Sequence, residues 1–208
     1  MKTIKICSVI LFALALSTGC GPKVAVPPTV DLSEYRTIGF IAFNSKTEGN
    51  FDEYFNERLL QEISIAQPRV ELVELGTAAE LLDEIGYRRL DRDAIAEIGR
   101  IYELDAVITG TLDISDIKPN VHVFRILSDF AVNADVEAKI TARLVTTGRG
   151  ATVWAATARD RKNVAHLSVR AGRPFFLYAK NPDEAYGKLV DAIVRRVTRD
   201  LRVRYVRR

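Results

Sequence analysis

Only two of the 208 residues are cysteine, Cys7 and Cys20, and both stand near the N-terminus. The body of the chain therefore has no disulfide framework and no cysteine metal site. Histidine is equally scarce: His122 and His166 are the only two, too few for a histidine-rich metal site. The HExxH, GxSxG, Walker A and GxGxxG patterns are all missing. Gly148, Arg149 and Gly150 precede a strand-like stretch rather than a helix, so they read as a hairpin turn and not as a phosphate loop. The acid pairs Asp91/Asp93 and Asp113/Asp116 fall near helix and strand ends, where capping and solvation account for them. No catalytic residue, metal ligand or cofactor is expected, which leaves open only an unrecognised carboxylate site.

Net charge is also small. Setting aside Lys2 and Lys5, which lie in a leader-like segment, takes the basic count from 30 to 28 against 27 acids, a net of +1. The balance is uneven along the chain. From Arg195 onward there are seven arginines and one acid, Asp200, while the preceding mature residues hold 21 basic and 26 acidic. A basic C-terminus of this kind, with Arg204 at its centre, suits anionic lipid, a glycan layer or an acidic partner. A solvated helix face followed by a charge-guarded edge strand, the usual protection of a sheet edge, is the favoured account of it.

What is present at the N-terminus reads as an address. Lys2 and Lys5 precede an apolar run at residues 6–16, too short to span a bilayer as a helix. Small residues follow, then Cys20. The tail Leu16, Ser17, Thr18, Gly19, Cys20 resembles the lipobox of bacterial lipoproteins, with the leucine one place earlier than usual. That resemblance implies a signal peptide at residues 1–19, lipidation of Cys20, and a tether over residues 20–33. Gly21, where an aspartate would stand in the inner-membrane pattern, resembles outer-membrane sorting. The other possibility is an ordinary cleaved signal leaving a free thiol, a liability in an oxidising compartment.

Residues 34–208 are expected to form one domain, since the chain is long enough for one substantial core. Residues 35–43 read as a buried strand. A helix follows to about Ile65, with Asn50 and Glu53 as its capping box and Phe51, Phe55, Leu59 and Ile63 on one face. A second strand spans residues 70–75, and Thr77 with Glu80 caps a short helix that Gly86 ends. The central stretch is residues 91–113: Asp91 as N-cap, Ala94, Ile95, Ile98, Ile101 and Tyr102 on a helix face, then a β-branched strand marked by Gly110. From Val132 to Leu144 every even position is apolar and every odd one polar, the period of a strand with one buried and one wet face. Its hairpin partner runs from Ala151 to about Asp160. Asn181, Pro182 and Glu184 start an amphipathic helix, and the last residues alternate again. The fold class is thus α/β (α+β): a mixed sheet flanked by helices, with a long antiparallel hairpin and a C-terminal amphipathic helix.

Three stretches carry a family resemblance: Ile38–Phe43; residues 70–86; and Ala94–Leu112, which holds Ala96, Ile98, Gly99, Asp105, Ala106, Thr109 and Gly110. They are similar to the domain shared by curli-secretion lipoproteins (CsgG), LpoB-type activators of penicillin-binding proteins, and the N-terminal domain of TolB. The resemblance implies a domain that binds partners or assembles and does not catalyse.

The expected function is therefore an outer-membrane lipoprotein on the periplasmic face, acting without catalysis as a binding or assembly component of the cell envelope. A CsgG-like oligomeric secretion channel, or an accessory to one, is the alternative. Expected partners are the membrane, through the lipid anchor, and an envelope protein, with a homo-oligomer possible and no nucleic acid. Besides Arg204, the candidate contacts lie in two apolar loops, residues 115–129 with Phe124 and Ile126, and residues 164–180 with Phe175 and Phe176. Both loops could instead fold back over the sheet edge.

Overall fold

The structure, a computed structural model, describes residues 23–119, 131–168 and 176–207. Its centre is a five-stranded mixed sheet in the order Glu71–Thr77 (β4), Thr37–Ala42 (β2), Ala106–Pro119 (β5), Ala131–Thr146 (β6) and Thr152–Ser168 (β7). The parallel half comprises β2 (Thr37–Ala42), β4 (Glu71–Thr77) and the start of β5 (Ala106–Pro119). The antiparallel half comprises β5, β6 (Ala131–Thr146) and β7 (Thr152–Ser168). Four helices pack on the sheet: α1 (Phe51–Ala66), α2 (Ala78–Ile85), α3 (Arg92–Ile101) and α4 (Pro182–Val197).

Period-two alternation divides the core between the two faces. Ile38, Phe40, Ala106 and Ile108 point into one cluster with Phe51, Phe55, Leu59 and Ile63 of α1 and Leu189, Val190, Ile193 and Val197 of α4. Ile41, Val107 and Val145 point the other way, against Leu81 of α2 and Ile95 and Ile98 of α3. The alternation of β6 holds: Val136, Ala138, Ile140, Ala142 and Leu144 are fully buried. Two of these five are alanine because α4 lies close over β6 and β7 and leaves little depth for larger side chains.

Local signals fix most helix starts. Thr77 and Glu80 form the reciprocal capping box, the Asp91 carboxylate accepts from Ala94 N–H at 3.1 Å, and Asn181 Oδ1 accepts from Glu184 N–H. α1 is different. Asn50 makes no cap bond; it accepts from Ala179 N–H at 3.1 Å and donates to Ala179 carbonyl at 2.9 Å. A long-range backbone clamp has replaced the expected local cap.

Three other expectations change. Residues 115–119 and 164–168 belong to β5 and β7 and not to loops, so the hairpin strands run 14, 16 and 17 residues. The final strand, β9 (Arg204–Arg207), does not extend the main sheet; it pairs with β1 (Lys23–Val26), which lies inside the expected tether. A third small sheet joins β3 (Glu48–Gly49) to β8 (Phe176–Leu177) in parallel.

Candidate interaction surfaces

Two parallel helices give the molecule two distinct poles. Tyr54 Oη donates to Asp183 at 2.7 Å, Arg58 pairs with Asp191 at 2.8 Å, and Arg202 pairs with Glu62 at 3.0 Å. Gln67 Nε2 donates to Leu201 carbonyl at 2.7 Å. The first two contacts run along α1 and α4 in the same direction and the last two join the C-terminal part of α1 to the segment that follows α4, so the two 16-residue helices, about 24 Å each, lie parallel.

The near pole holds the C-terminal ends of α1 and α4, the start of β2, and the β1–β9 ribbon. Gln67, 5% exposed, ties it together: its Oε1 accepts from Leu32 N–H at 3.1 Å while its Nε2 also donates to Val30 carbonyl. Val30 N–H in turn donates to Asp200 carbonyl at 3.0 Å. Beyond this junction the ribbon carries no core. Every residue of β9 is exposed, and of β1 only Val26 is half-buried.

At the far pole lie the C-terminal end of β2, the starts of α1 and α4, the β3–β8 pair and the open end of the hairpin. Asn56 holds the end of β2, accepting from Phe43 N–H at 2.8 Å and donating to Phe43 carbonyl at 2.9 Å. Asp52 accepts from Ser45 N–H at 2.7 Å and from its hydroxyl at 3.1 Å, yet its buried Oδ1 has no partner among the described residues. Burial raises the Asp52 pKa in spite of the Ser45 bonds. Tyr54 and Tyr186 are both shifted far up, chiefly by burial and, for Tyr54, by its bond to Asp183.

Between the poles the hairpin exposes a polar sheet face. β5 pairs with β2 only through Ile108, so its remaining eleven residues extend past the parallel strands, about 35 Å. Thr111, Thr141 and Thr157 form one row across the strands, and Asp113, Lys139 and Arg159 the next. Arg159 pairs with Glu137 at 2.6 Å and Arg161 with Asp135 at 3.3 Å. Acids and bases alternate here, so the surface has no single-sign field. A cleft of about 200 Å³ between α1 and α4, lined by Arg58, Glu62, Ile65, Asp191 and Arg195, escaped sequence reasoning. It is smaller than the 300–1,000 Å³ typical of small-molecule sites.

The residues of the most specific sequence stretch have structural tasks. Asp105 Oδ2 accepts from Arg36 N–H at 2.7 Å and Thr37 N–H at 3.2 Å, which joins β5 to the start of β2. Gly99 lets α3 touch the β6–β7 turn, since a Cβ there would stand 2.3 Å from Thr147 Cβ. Gly110 lets β5 and β6 close up beside Phe43; a Cβ there would meet Thr141 carbonyl oxygen at 1.9 Å.

The structure does not bring the sequence-predicted contact residues together. Arg204 is exposed on β9 at the near pole. Phe176 lies at the far pole, its backbone paired with Glu48. Cys20, Phe124, Ile126 and Phe175 lie outside the described residues, as does His122; Pro119 and Ala131, which bracket Phe124 and Ile126, belong to the open end of the hairpin. Among the described residues no cluster of His, Cys, Asp or Glu is placed to hold a metal ion, and no helix is long and apolar enough to cross a membrane.

No family model matches the chain. No curated protein matches it by sequence. Among solved structures it is similar to the PelC dodecamer from Paraburkholderia phytofirmans, at 11% identity and a TM-score of 0.48, over 89% of this chain and 99% of that one. It is similar to lipoprotein GNA1162 from Neisseria meningitidis, at 19% identity and a TM-score of 0.38, over 62% and 83%. It is similar also to the LpoB C-terminal domain from Escherichia coli, at 15% identity and a TM-score of 0.38, over 64% and 88%. LpoB is one of the groups that the sequence resembles.

Proposed function

We propose that this chain is a lipoprotein held by an acylated Cys20 on the periplasmic face of the outer membrane, and that it acts without catalysis as a binding or assembly component of the envelope. The observation that supports this best is the two-pole arrangement. The residues that follow Cys20 enter the fold at the near pole, beside the basic C-terminus, while the long hairpin and the β3–β8 pair stand at the far pole. Two or more acyl chains on Cys20 hold such a domain stably on a bilayer, and the far pole then faces the compartment.

The far pole, where Pro119, Ala131 and Phe176 lie, offers the contact surface for an envelope partner. The resemblance to curli-secretion lipoproteins, LpoB-type activators and TolB agrees with a task of this kind. A membrane barrel built from β6 is disfavoured, because its apolar positions from Val136 to Leu144 are buried in the core and unavailable to lipid.

The test is membrane fractionation with mass determination of the mature N-terminus, wild type beside Cys20→Ala, at native expression. A diacylated or triacylated Cys20 in the outer membrane is expected, with Cys20→Ala released. Ring-shaped oligomers would favour a channel or its accessory; a lipidated monomer would favour a tethered activator. An unmodified soluble wild-type protein would overturn the proposal.

A further inference from the structure

Among the described residues the β1–β9 ribbon has no apolar layer beneath it, and an isolated pair of strands is marginal in water. Its register places Lys23 opposite Arg207 and Ala25 opposite Tyr205, which puts these four on one face. By alternation Val203 joins that face. Val24, Val206, Val26 and Arg204 occupy the other. Tyr205 is 70% exposed and Val203 47%. Among the described residues no ion pair or side-chain hydrogen bond engages Lys23, Arg207 or Tyr205. Lys23 is three residues from Cys20, a reach of at most about 11 Å.

Two unpaired cations beside an exposed tyrosine make the composition of a membrane interface. Tyrosine buries its ring and keeps its hydroxyl wet, and lysine and arginine lay their stems on apolar surface with the charge outward. We propose that the face bearing Lys23, Arg207 and Tyr205 lies on the bilayer and binds the anionic headgroups of phospholipids, fixing how the domain stands on its anchor. This rests on the acylated Cys20 proposed above. Chain length and charge select the lipid surface as occupant: an anchor three residues away confines this face to the bilayer, and its charges are of one sign. Arg204 lies on the opposite face and serves as the internal control.

The test uses full-length protein isolated with its native N-terminus and reconstituted in phosphatidylethanolamine vesicles with or without brominated phosphatidylglycerol. Tyr205→Trp adds a second tryptophan to Trp154, which is buried and shielded from lipid. The added emission is expected to be quenched by the brominated lipid. Quenching should vanish when Lys23 and Arg207 are both changed to Gln and persist in Arg204→Gln. Acylated, vesicle-bound protein whose residue 205 escapes quenching overturns the inference and leaves the anchor intact. If mass determination finds Cys20 unmodified, the same protein is sedimented with phosphatidylglycerol vesicles. Each basic side chain near an anionic surface is worth about 1 kcal/mol, or about five-fold, so binding that drops about 25-fold in the double variant supports the ribbon by itself. No binding there overturns both proposals.

Discussion

Gly99 on α3 and Thr147 in the β6–β7 turn are in contact closer than any side chain at 99 permits: a Cβ at position 99 would fall 2.3 Å from Thr147 Cβ and 2.4 Å from its Cγ2. Thr147 cannot turn away. Its hydroxyl donates to Leu104 carbonyl at 2.6 Å, and its N–H donates to Asp105 carbonyl at 3.0 Å. Gly99→Ala must therefore move backbone. Overpacking of this kind costs about 1–3 kcal/mol, more than the roughly 1 kcal/mol that alanine returns in helix propensity. Urea unfolding is expected to show a lower midpoint with an unchanged slope; equal or greater stability would mean that the turn yields freely.

Gln67 joins three backbone groups from segments remote in sequence: Val30, Leu32 and Leu201. Gln67→Leu keeps the volume and strands all three. Each buried group left unsatisfied costs about 1–3 kcal/mol, so a loss of about 3 kcal/mol is expected. Hydrogen exchange should accelerate first at the amides of Leu32 and of β1, because this amide is their main tie to α1. Uniform acceleration across the domain would argue for a general loss of packing instead.

The Asp52 carboxyl makes stability depend on pH with an identifiable sign. Its folded pKa lies above the ordinary 3.8 because burial outweighs the Ser45 hydrogen bonds. The folded state then holds its proton to higher pH than the unfolded chain, so this group's contribution is present below 3.8 and is lost as pH rises through the raised value. The difference in urea midpoint between wild type and Asp52→Asn, followed from pH 3 to 7, should move against the wild type as pH rises. A flat difference would show that Oδ1 is solvated.

Tyr54 and Tyr186 should resist alkaline titration. Both are buried enough to disfavour the phenolate, and Asp183 adds a negative charge beside Tyr54. In ultraviolet difference spectra these two should ionise only with unfolding. Tyr54→Phe is expected to remove one of the late ionisations and to cost about 1 kcal/mol.

Much of the fold was legible because its signals are local. Thr77 with Glu80, Asp91, and Asn181 with Glu184 each cap the helix expected of them, and the alternation of β6 marks its buried face. The misread parts are those where a distant partner decides. Asn50 gives up its cap to clamp Ala179, 129 residues away. The hairpin is longer than the sequence suggests because register shifts between Ser115 and Lys118 and between Val132 and Ala134 break the period that reveals a strand. Nothing in either segment alone announces that Lys23–Val26 pairs with Arg204–Arg207. Arg204 and Phe176 were legible as residue types but not as lying at opposite poles, since that division depends on α1 and α4 running parallel.

Because Lys23 and Arg207 are direct partners across the ribbon, the fold takes in and releases its chain at one doorway. A fluorescent protein or affinity tag appended after Arg208 would therefore crowd the same side that the proposed anchor would occupy, and loss of function in such a fusion would say little about the far side. Reporters meant for that side belong inside the chain. Conversely, a short linker across the doorway would close the backbone into a ring, which could be reopened at the exposed turn around Gly86 to carry an anchor elsewhere and turn the domain over on its support.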